Sequence, residues 1–538
     1  MPRLGITAVP SAGLTRGMKS ATLPPVKRVE MKYKGLACFA GCMIGLGCQL
    51  AAQTTNRVQS ITVEEAVRMA LEHNLSVQIQ RFNPLLDRFA LEANYGAYDA
   101  SFHSTAGDSY AAQPGQVFNG VQSPNEDINT HNVTVGLGGV NGSNALTPWG
   151  LQYNLGMSLA RGAYTTFNSN GVPMAAFNQD TSFAGLTLEQ PLLKNFWTDT
   201  TRATILIARK TMQYDELAFR QLVNTNISAA EQAYDELNYA FENVKVQEQA
   251  VALADQLVSD NKRKVQAGVL TVLDVAQSLS QLASARAALL AARQLVMNDE
   301  NNLKALITDQ YRQIHDVQLQ PADKLVAVPQ AFDLQESWQT GLSKRPDVLA
   351  ARINVERADV NRRLQKNQLF PQLDATGSYG RSGLGPTLGA AYDQIPRNEF
   401  PSYSYGLLLS FPLSNIGARS NYKAAKAANQ QAQLQYKLAE QTMLIQIQNS
   451  IESARSDFAQ VDATREARVY AEQALAAEEK KLEVGTSTPF VVLQLQSNLT
   501  AARSAEIRAV ANYNEDLAQL AQFDGTIMEK HHLTVKVY

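Results

Sequence analysis

Apolar residues in two long segments recur with the spacing of packed helices. Between positions 198 and 260 the chain has neither proline nor glycine, and a second such segment runs from Thr271 to about Ile307. The later part of the chain repeats this pair of helices over 418–483 and 489–522. Sixty residues of helix extend for about 90 Å, which is long for a compact soluble bundle. In the first segment the apolar residues lie alternately four and three positions apart, as in a coiled coil: Val223, Ile227, Ala230, Tyr234, Leu237, Phe241 and Val244.

Shorter segments alternate between large apolar residues and small or polar ones, which is the period of a β-strand. The pattern runs through 149–159, 373–380 and 402–411. A half-buried strand of a soluble protein also alternates, but small polar residues on one face with aromatic and aliphatic residues on the other are typical of a membrane barrel. We therefore expect the following side chains to face lipid: Trp149, Leu151, Tyr153, Leu155, Tyr403, Tyr405, Leu407, Leu409 and Phe411.

Three stretches of the first half recur in the second half, so the chain contains an internal repeat. The distance between matching residues falls from 271 to 217 along the chain, which places about fifty extra residues of the first copy between 98 and 185. That segment is rich in Gly, Asn, Ser and Thr, as surface loops are, and an extra hairpin is the alternative. The matching stretches are 61–74 with 332–345, 185–192 with 406–413, and 268–286 with 485–503.

These matches predict two repeats, 58–325 and 330–530, followed by a C-terminal tail at 531–538. Each repeat has a short helix, strands and a long helical hairpin. The predicted fold class is therefore mixed, with antiparallel coiled-coil helices and strands suited to a transmembrane β-barrel.

The first 52 residues have the composition of a secretory signal. Lys32 and Lys34 precede an apolar run that ends in small residues near Ala52, and Met31 is the expected start. The cysteines all lie in this region, at positions 38, 42 and 48, and lipid attachment to them is only weakly indicated. The exported chain is therefore expected to have no disulfide.

Charge and motif content argue against nucleic-acid binding and catalysis. The chain has 48 Lys and Arg against 50 Asp and Glu, and without 1–52 it has 41 against 49, a net charge of −8. A nucleic-acid-binding protein would be basic. The P-loop, HExxH and GxSxG patterns are missing, and the six His do not form a ligand cluster, so we expect neither an enzyme nor a metal or cofactor site.

Beyond the signal, no stretch of the sequence has eighteen consecutive apolar residues. If the exported chain crosses a membrane, a closed β-barrel is the remaining form. One chain offers four good strand candidates, or six if the insertion adds a hairpin. Closure of a wide barrel therefore requires a symmetric oligomer in which each chain gives a share of the strands.

The ordered motifs of the whole exported chain resemble those of the TolC family of outer-membrane efflux proteins. The resemblance covers about 58–530 and appears twice. It is carried by Gln190-Pro191-Leu192-Leu193, Arg345-Pro346-Asp347-Val348, Phe370-Pro371-Gln372-Leu373, Val484-Gly485-Thr486-Ser487-Thr488 and Ala511-Asn512-Tyr513-Asn514.

The resemblance implies a homotrimer with a shared 12-stranded barrel, four strands per chain, on a long periplasmic helical barrel. It implies an outer-membrane exit duct for small toxic compounds or secreted proteins, in contact with outer-membrane lipid. The implied partners are a periplasmic adaptor and an inner-membrane pump of the resistance-nodulation-division, ABC or a similar type. An exported structural or adhesive trimeric coiled coil is the alternative, although it leaves the repeated strands without a role.

The resemblance also assigns two sites. In the family, turns at the helix tips dock the adaptor, and acidic residues just inside the last helix often close the channel. At those acidic positions this chain has Val491 and Gln494, and the repeat-equivalent residue is Asp274, so Asp274, Phe490 and Gln494 are gate candidates. The docking candidates are Gly268, Val269, Leu270 and Thr271 in the first repeat, and Gly485, Thr486, Ser487 and Thr488 in the second.

Overall fold

A computed structural model describes residues 57–114, 117–118, 121–122, 125–139, 143–167 and 172–533. The predicted signal with its cysteines, and residues 534–538 of the predicted tail, lie outside the described residues. Residues from Asn56 onward form one compact unit.

The described residues form alternating groups of helices and strands. The helices are α1 (Val63–His73), α2 (Leu75–Gln80), α3 (Phe82–Tyr95), α4 (Thr200–Gln266), α5 (Val272–Ile307), α6 (Tyr311–Ile314), α7 (Leu334–Lys344), α8 (Pro346–Asn367), α9 (Leu388–Arg397), α10 (Ile416–Glu483), α11 (Pro489–Phe523) and α12 (Ile527–Lys530). The strands are β1 (Arg57–Ile61), β2 (Ser101–Gln113), β3 (Val117–Phe118), β4 (Val121–Gln122), β5 (Asn125–Gly138), β6 (Ala145–Leu146), β7 (Gln152–Phe167), β8 (Pro173–Pro191), β9 (Val317–Pro321), β10 (Gln372–Gly385) and β11 (Phe400–Ser410).

Four long helices dominate the molecule and begin and end close to the predicted positions. The longest, α4 and α10, have 67 and 68 residues, so each extends for about 100 Å. Asp199 begins α4 by accepting a hydrogen bond at 2.8 Å from the amide of Arg202. Helix α4 packs on α5 and α11, and α10 packs on α11, so the two helical hairpins lie side by side.

The apolar positions of the predicted coiled coil form the main core. Residues from Val223 to Leu237 in this series are at most 1% exposed, and they pack with Leu303 and Ile307 of α5. Phe241 and Val244 pack against the same cluster. The heptad pattern of α4 therefore marks a helix face that is covered within the chain itself.

The long strands form one antiparallel sheet with the order β11-β10-β8-β7-β5-β2, and the short β6 pairs with β7. The sheet has six long strands, two more than the resemblance implies, because the insertion folds into additional strands. Strand β7 begins at Gln152, three residues later than the alternation suggests, so Trp149 and Leu151 lie in the turn before it. Similarly, Phe411 lies just after β11.

Halfway along the long helices, the short strands β1 and β9 connect the start and the end of the first repeat. Strand β1 pairs in parallel with β9, from Arg57 opposite Val317 to Ile61 opposite Pro321. The hydroxyl of Tyr234 on α4 donates to the Ile61 carbonyl at 3.1 Å and lies 2.9 Å from the Asp323 carboxylate. These contacts join the two ends of the first repeat to the middle of α4.

None of the helices in the described residues combines the length and apolar character needed to cross a lipid bilayer.

Candidate docking and gating site

The two long helical hairpins end in turns of the same geometry. Gly268 and Gly485 adopt φ values of +74° and +78°, in the left-handed region that favours glycine. The next amide in each turn, of Val269 or Thr486, donates at 2.9 Å to a carbonyl five residues earlier in the chain. This is a Schellman ending, and it explains why glycine occupies the equivalent position in both repeats.

The first tip is capped by its own side chains. Thr271 precedes α5, and its hydroxyl lies 3.4 Å from the Asp274 amide, while the Asp274 carboxylate accepts from the Thr271 amide at 2.9 Å. The Thr271 hydroxyl also donates to that carboxylate at 2.6 Å. These bonds hold the pKa of Asp274 below its usual value. Asp274, a gate candidate, is therefore also a helix-capping residue.

The second tip is held by contacts back to α10. Thr488 precedes α11 without a side-chain cap, and Pro489 takes the first helical position. The Ser487 hydroxyl donates to the Glu478 carboxylate at 2.6 Å, and this bond, with one from Lys481, lowers the pKa of Glu478. The two gate candidates of the second tip are Phe490 and Gln494. Both lie on the exposed side of the first turns of α11.

Both tips expose apolar side chains that none of the described residues covers. Val272 is 77% exposed and Phe490 is 59% exposed. Large apolar residues at the end of a polar coiled coil are typical of a contact surface rather than a solvated one. The exposed apolar residues of this tip surface are Val269, Val272, Leu273, Val484, Phe490 and Val491.

The two hairpins touch above the tips through α4 and α11. Leu257 of α4 packs with Leu475, Val492 and Leu493 of the second hairpin. Higher up, Arg503 of α11 donates to Gln249 of α4 at 2.8 Å. The tips are thus parts of one layer of four helices, and a shift of one hairpin must break contacts along α11 and α4.

The sheet separates its side chains into two faces. Directly paired residues of neighbouring strands share a face, and the pairs Tyr403–Tyr379, Tyr379–Leu186, Leu186–Leu155 and Leu155–Leu137 cross five strands. Tyr153, Tyr405, Leu407 and Leu409 lie on this same face by alternation, which we call the apolar face. The opposite, polar face carries Thr187, Ser158, Thr134, Ser378 and Ser404.

A row of charged residues bounds the apolar face at the end away from the long helices. Asp108, His131, Arg161 and Asp180 are paired across β2, β5, β7 and β8. His131 lies 2.5 Å from Asp108, and Arg161 lies 3.3 Å from Asp180. Below this row, the apolar band along β11 from Leu409 to Pro401 is about 27 Å long, which for strands tilted by about 40° gives a height of about 20 Å, somewhat less than the roughly 25 Å of the lipid-facing band of a membrane barrel.

A group of acidic residues lies halfway along the long helices, and no local sequence pattern predicts it. Burial and the neighbouring Glu231 raise the pKa of Asp235 to about 7, and burial and the neighbouring Glu236 raise that of Glu515 to about 7. Glu231 itself lies 2.6 Å from His531 Nε2 and 2.8 Å from the Lys530 amine. Only the folded positions reveal this group, because acidic residues on a long helix usually lie in water.

Two stretches of the chain, 150–308 and 338–526, match the family described as outer membrane efflux protein. The pyoverdine export outer membrane protein OpmQ of Pseudomonas aeruginosa is 27% identical over 250 residues, which are 45% of this chain and 49% of OpmQ. The outer membrane protein TolC of Escherichia coli is 25% identical over 308 residues, which are 56% of this chain and 60% of TolC. The chain therefore spans about half to three-fifths of the length of these relatives.

The fold resembles that of the CmeC outer membrane channel of Campylobacter jejuni, with a TM-score of 0.61 and 17% sequence identity over 86% of each chain. At this identity the likeness concerns the fold alone. The family match covers more than half of the sequence and includes both long hairpins. The chain therefore belongs to the outer membrane efflux protein family, the TolC family that its motifs resemble, whose members are outer-membrane channels with a large periplasmic helical part and not enzymes.

Proposed function

We propose that three copies of the chain form the outer-membrane channel of a tripartite efflux or secretion assembly. The observation that carries this proposal is one sheet with an apolar face, joined at one end to helices about 100 Å long. A lipid bilayer covers the apolar face, and the helices continue the duct into the periplasm. The alternative of an adhesive coiled coil gives this sheet no role.

The unpaired edges of the sheet in one chain support the proposed trimer. Among the described residues neither edge of the sheet is paired, and a lipid-exposed edge would leave backbone groups without partners. Closure by copies of the same chain removes every edge, and the polar face then lines a wet lumen. Cyclic symmetry gives each copy the same two contacts.

The tips are the proposed docking and gating site. Their exposed apolar residues, including Val269, Val272 and Phe490, offer a surface for a periplasmic adaptor, which links the channel to an inner-membrane pump. An adaptor that binds the open arrangement of the hairpins better than the closed one would shift the channel toward opening. Asp274, Phe490 and Gln494 remain the proposed gate residues.

The proposed cargo is either small molecules or secreted proteins. The relative OpmQ is described as a pyoverdine export protein, which fits release of small molecules. A duct of this type also suits secreted proteins, because selection of the cargo takes place at the pump.

The first test is biochemical fractionation of the full-length chain. We expect it in the outer membrane as a detergent-stable trimer by light scattering, and we expect its deletion to increase sensitivity to toxic compounds or to stop secretion of a protein. A soluble monomer would contradict the channel. A membrane-bound trimer whose deletion affects adhesion alone would favour the structural alternative.

A further inference from the structure

We propose that each chain contributes six strands to the membrane barrel, so that three copies close a barrel of eighteen strands by pairing β11 of one copy with β2 of the next. This inference rests on the proposed function, which supplies the trimer and the membrane. It differs from the twelve-stranded barrel implied by the sequence resemblance because the insertion of the first repeat becomes part of the wall.

The open edges of the sheet fit each other. Among the described residues, β2 pairs with β5 alone and β11 pairs with β10 alone. Neighbouring strands alternate in direction across the six, so β2 and β11 run in opposite directions. A second copy placed beside the first therefore continues the same antiparallel pattern, and an even number of strands per chain is what this continuation requires.

The additional hairpin lies within the sheet rather than at its margin. Strand β5 pairs with β7 over 125–137 and 155–167, and these two strands separate β2 from β8. If they left the wall, β2 would lose its connection with the sheet. The insertion is therefore a structural link between the first strand of the chain and the rest of the barrel.

The hairpin also crosses the full height of the sheet. The turn between β5 and β7 lies beside the start of α4, where Arg202 Nε donates to the Pro148 carbonyl at 2.9 Å. Gly150 in this turn has φ of +91°, which favours glycine. A hairpin that lay outside the membrane, at the end of the sheet with the charged row, would not contact the first turn of α4. Helix α4 begins at the other end of the sheet.

The apolar face continues across the inserted strands, and Leu137 and Val135 of β5 lie in the paired rows that reach Tyr403 and Pro401 of β11. Val133 and Val135 of β5 pair with Leu159 and Met157 of β7 on the apolar face. The neighbouring residue Thr134 lies on the polar face. The charged row above the band also includes both strands, through His131 and Arg161. These strands thus have the two-sided character that a lipid-facing wall requires.

An eighteen-stranded barrel has about one and a half times the diameter of a twelve-stranded barrel at equal strand tilt, because the diameter grows roughly linearly with strand number. The larger lumen would pass bulkier cargo through the outer membrane. Any selection by size would then fall to the helical part of the duct.

Cysteine cross-linking tests the proposed edge contact, since the described residues contain no cysteine. Tyr405→Cys on β11 is combined in turn with Phe102→Cys, Ser104→Cys or Ala106→Cys on β2, all on the apolar face. After oxidation in membranes, we expect disulfide-linked dimers and trimers for at least one pair. Cross-links of Tyr405→Cys to Leu155→Cys or Met157→Cys on β7 would instead indicate four strands per chain and overturn the inference.

A second measurement tests whether β5 lies in the membrane. Leu137→Arg on the apolar face, in a row with Leu155 and Leu186, should lower the amount of outer-membrane trimer by at least about tenfold, while the nearby Thr134→Arg on the polar face keeps it. Equal trimer levels for the two variants would place the hairpin outside the lipid and overturn the six-stranded wall. If the unmodified chain forms no outer-membrane trimer, the proposed function itself fails, so the two failures are distinguishable.

Discussion

The two halves of the chain follow one plan but differ in how their helical hairpins are held. In the register that pairs Gly268 with Gly485, Arg286 and Asp255 of the first hairpin match Arg503 and Glu472 of the second. The first pair is 3.5 Å apart and largely exposed, whereas Arg503 and Glu472 are 2.9 Å apart and about one-third exposed. The same interaction thus occurs twice, once on an open surface and once beside the other half.

The difference shows where the halves are joined. Arg503, Ser504 and Arg508 on α11 all contact α4, with Arg508 donating to Glu236 at 2.6 Å and Ser504 to Asn243 at 3.0 Å. Helix α5 has no matching series of polar contacts with a neighbouring hairpin among the described residues. The α11–α4 contact therefore joins the two helical hairpins, while the outer face of α5 remains for the next copy in the proposed trimer.

The largest effect is expected at the tips, where the halves are most alike. Val269→Glu or Thr486→Glu leaves the glycine turn intact but places a charge on the exposed tip surface. We expect each change to abolish efflux while trimer assembly survives, as measured by drug susceptibility and by cross-linking. Val269→Leu and Thr486→Ser are the controls and should keep efflux. Loss of efflux from one tip alone would show that the halves have separate roles in docking.

The sheet offers the next test, with one position from each half. Leu155→Arg on β7 and Leu407→Arg on β11 should each cost about 2–4 kcal/mol if they lie near the lipid midplane. The controls Ser158→Arg and Ser402→Arg place the same charge on the polar face and should be tolerated. The midpoint of thermal unfolding in lipid is the measurement. A tolerated Leu155→Arg would separate the strands of the first half from the membrane.

Helices α4 and α10 each have an acidic residue at the equivalent position near the middle, and the two residues differ in their surroundings. The pKa of Asp235, partly buried beside Glu231, is raised to about 7, whereas Glu452 at the equivalent position of α10 is 62% exposed. A raised pKa in the folded state means that the contribution of Asp235 to stability is present below pH 4 and is lost as the pH rises through about 7. Asp235→Asn should therefore stabilise the protein at pH 8 by on the order of 2 kcal/mol, with no gain near pH 4.

The control for this test is Glu452→Gln, which removes a charge from an exposed position and should leave the unfolding midpoint nearly unchanged at either pH. Thermal unfolding of both variants from pH 4 to pH 8 is the measurement. A constant difference between Asp235→Asn and the unmodified chain across this range would show that the charge of Asp235 is not what limits stability.

The smallest expected effect concerns the capping of the tips. Thr271→Ala removes a capping box and should cost about 1 kcal/mol, whereas Thr488→Ala should cost only a few tenths because Thr488 makes no side-chain cap. Thermal unfolding of the two variants measures this difference. Equal losses would mean that the two tips are stabilised in the same way despite their different hydrogen bonds.

The helices could be predicted well from the sequence, and the sheet only in part. Runs without Pro or Gly and the two turn glycines define the hairpins, because both act through local backbone geometry. For the insertion the composition predicts loops, with an extra hairpin as the alternative, because the polar face of this sheet has the Gly, Asn and Thr content of a loop. The alternation of Val133, Val135 and Leu137 was the available signal. The acidic group around Asp235 depends on contacts between distant segments and had no local signal.

The parallel pairing of β1 with β9 imposes an order on folding. Arg57 and Val317 are partners, yet they lie at opposite ends of the first repeat. During synthesis the N-terminal strand appears first and has no partner until the α4–α5 hairpin has been completed. Formation of that hairpin brings β9 back to the level of β1 and shortens the loop that must be closed, which lowers the entropic cost of pairing. We therefore expect the α4–α5 hairpin to form before β1 pairs with β9. The β1–β9 pair would then stabilise the first repeat late in folding.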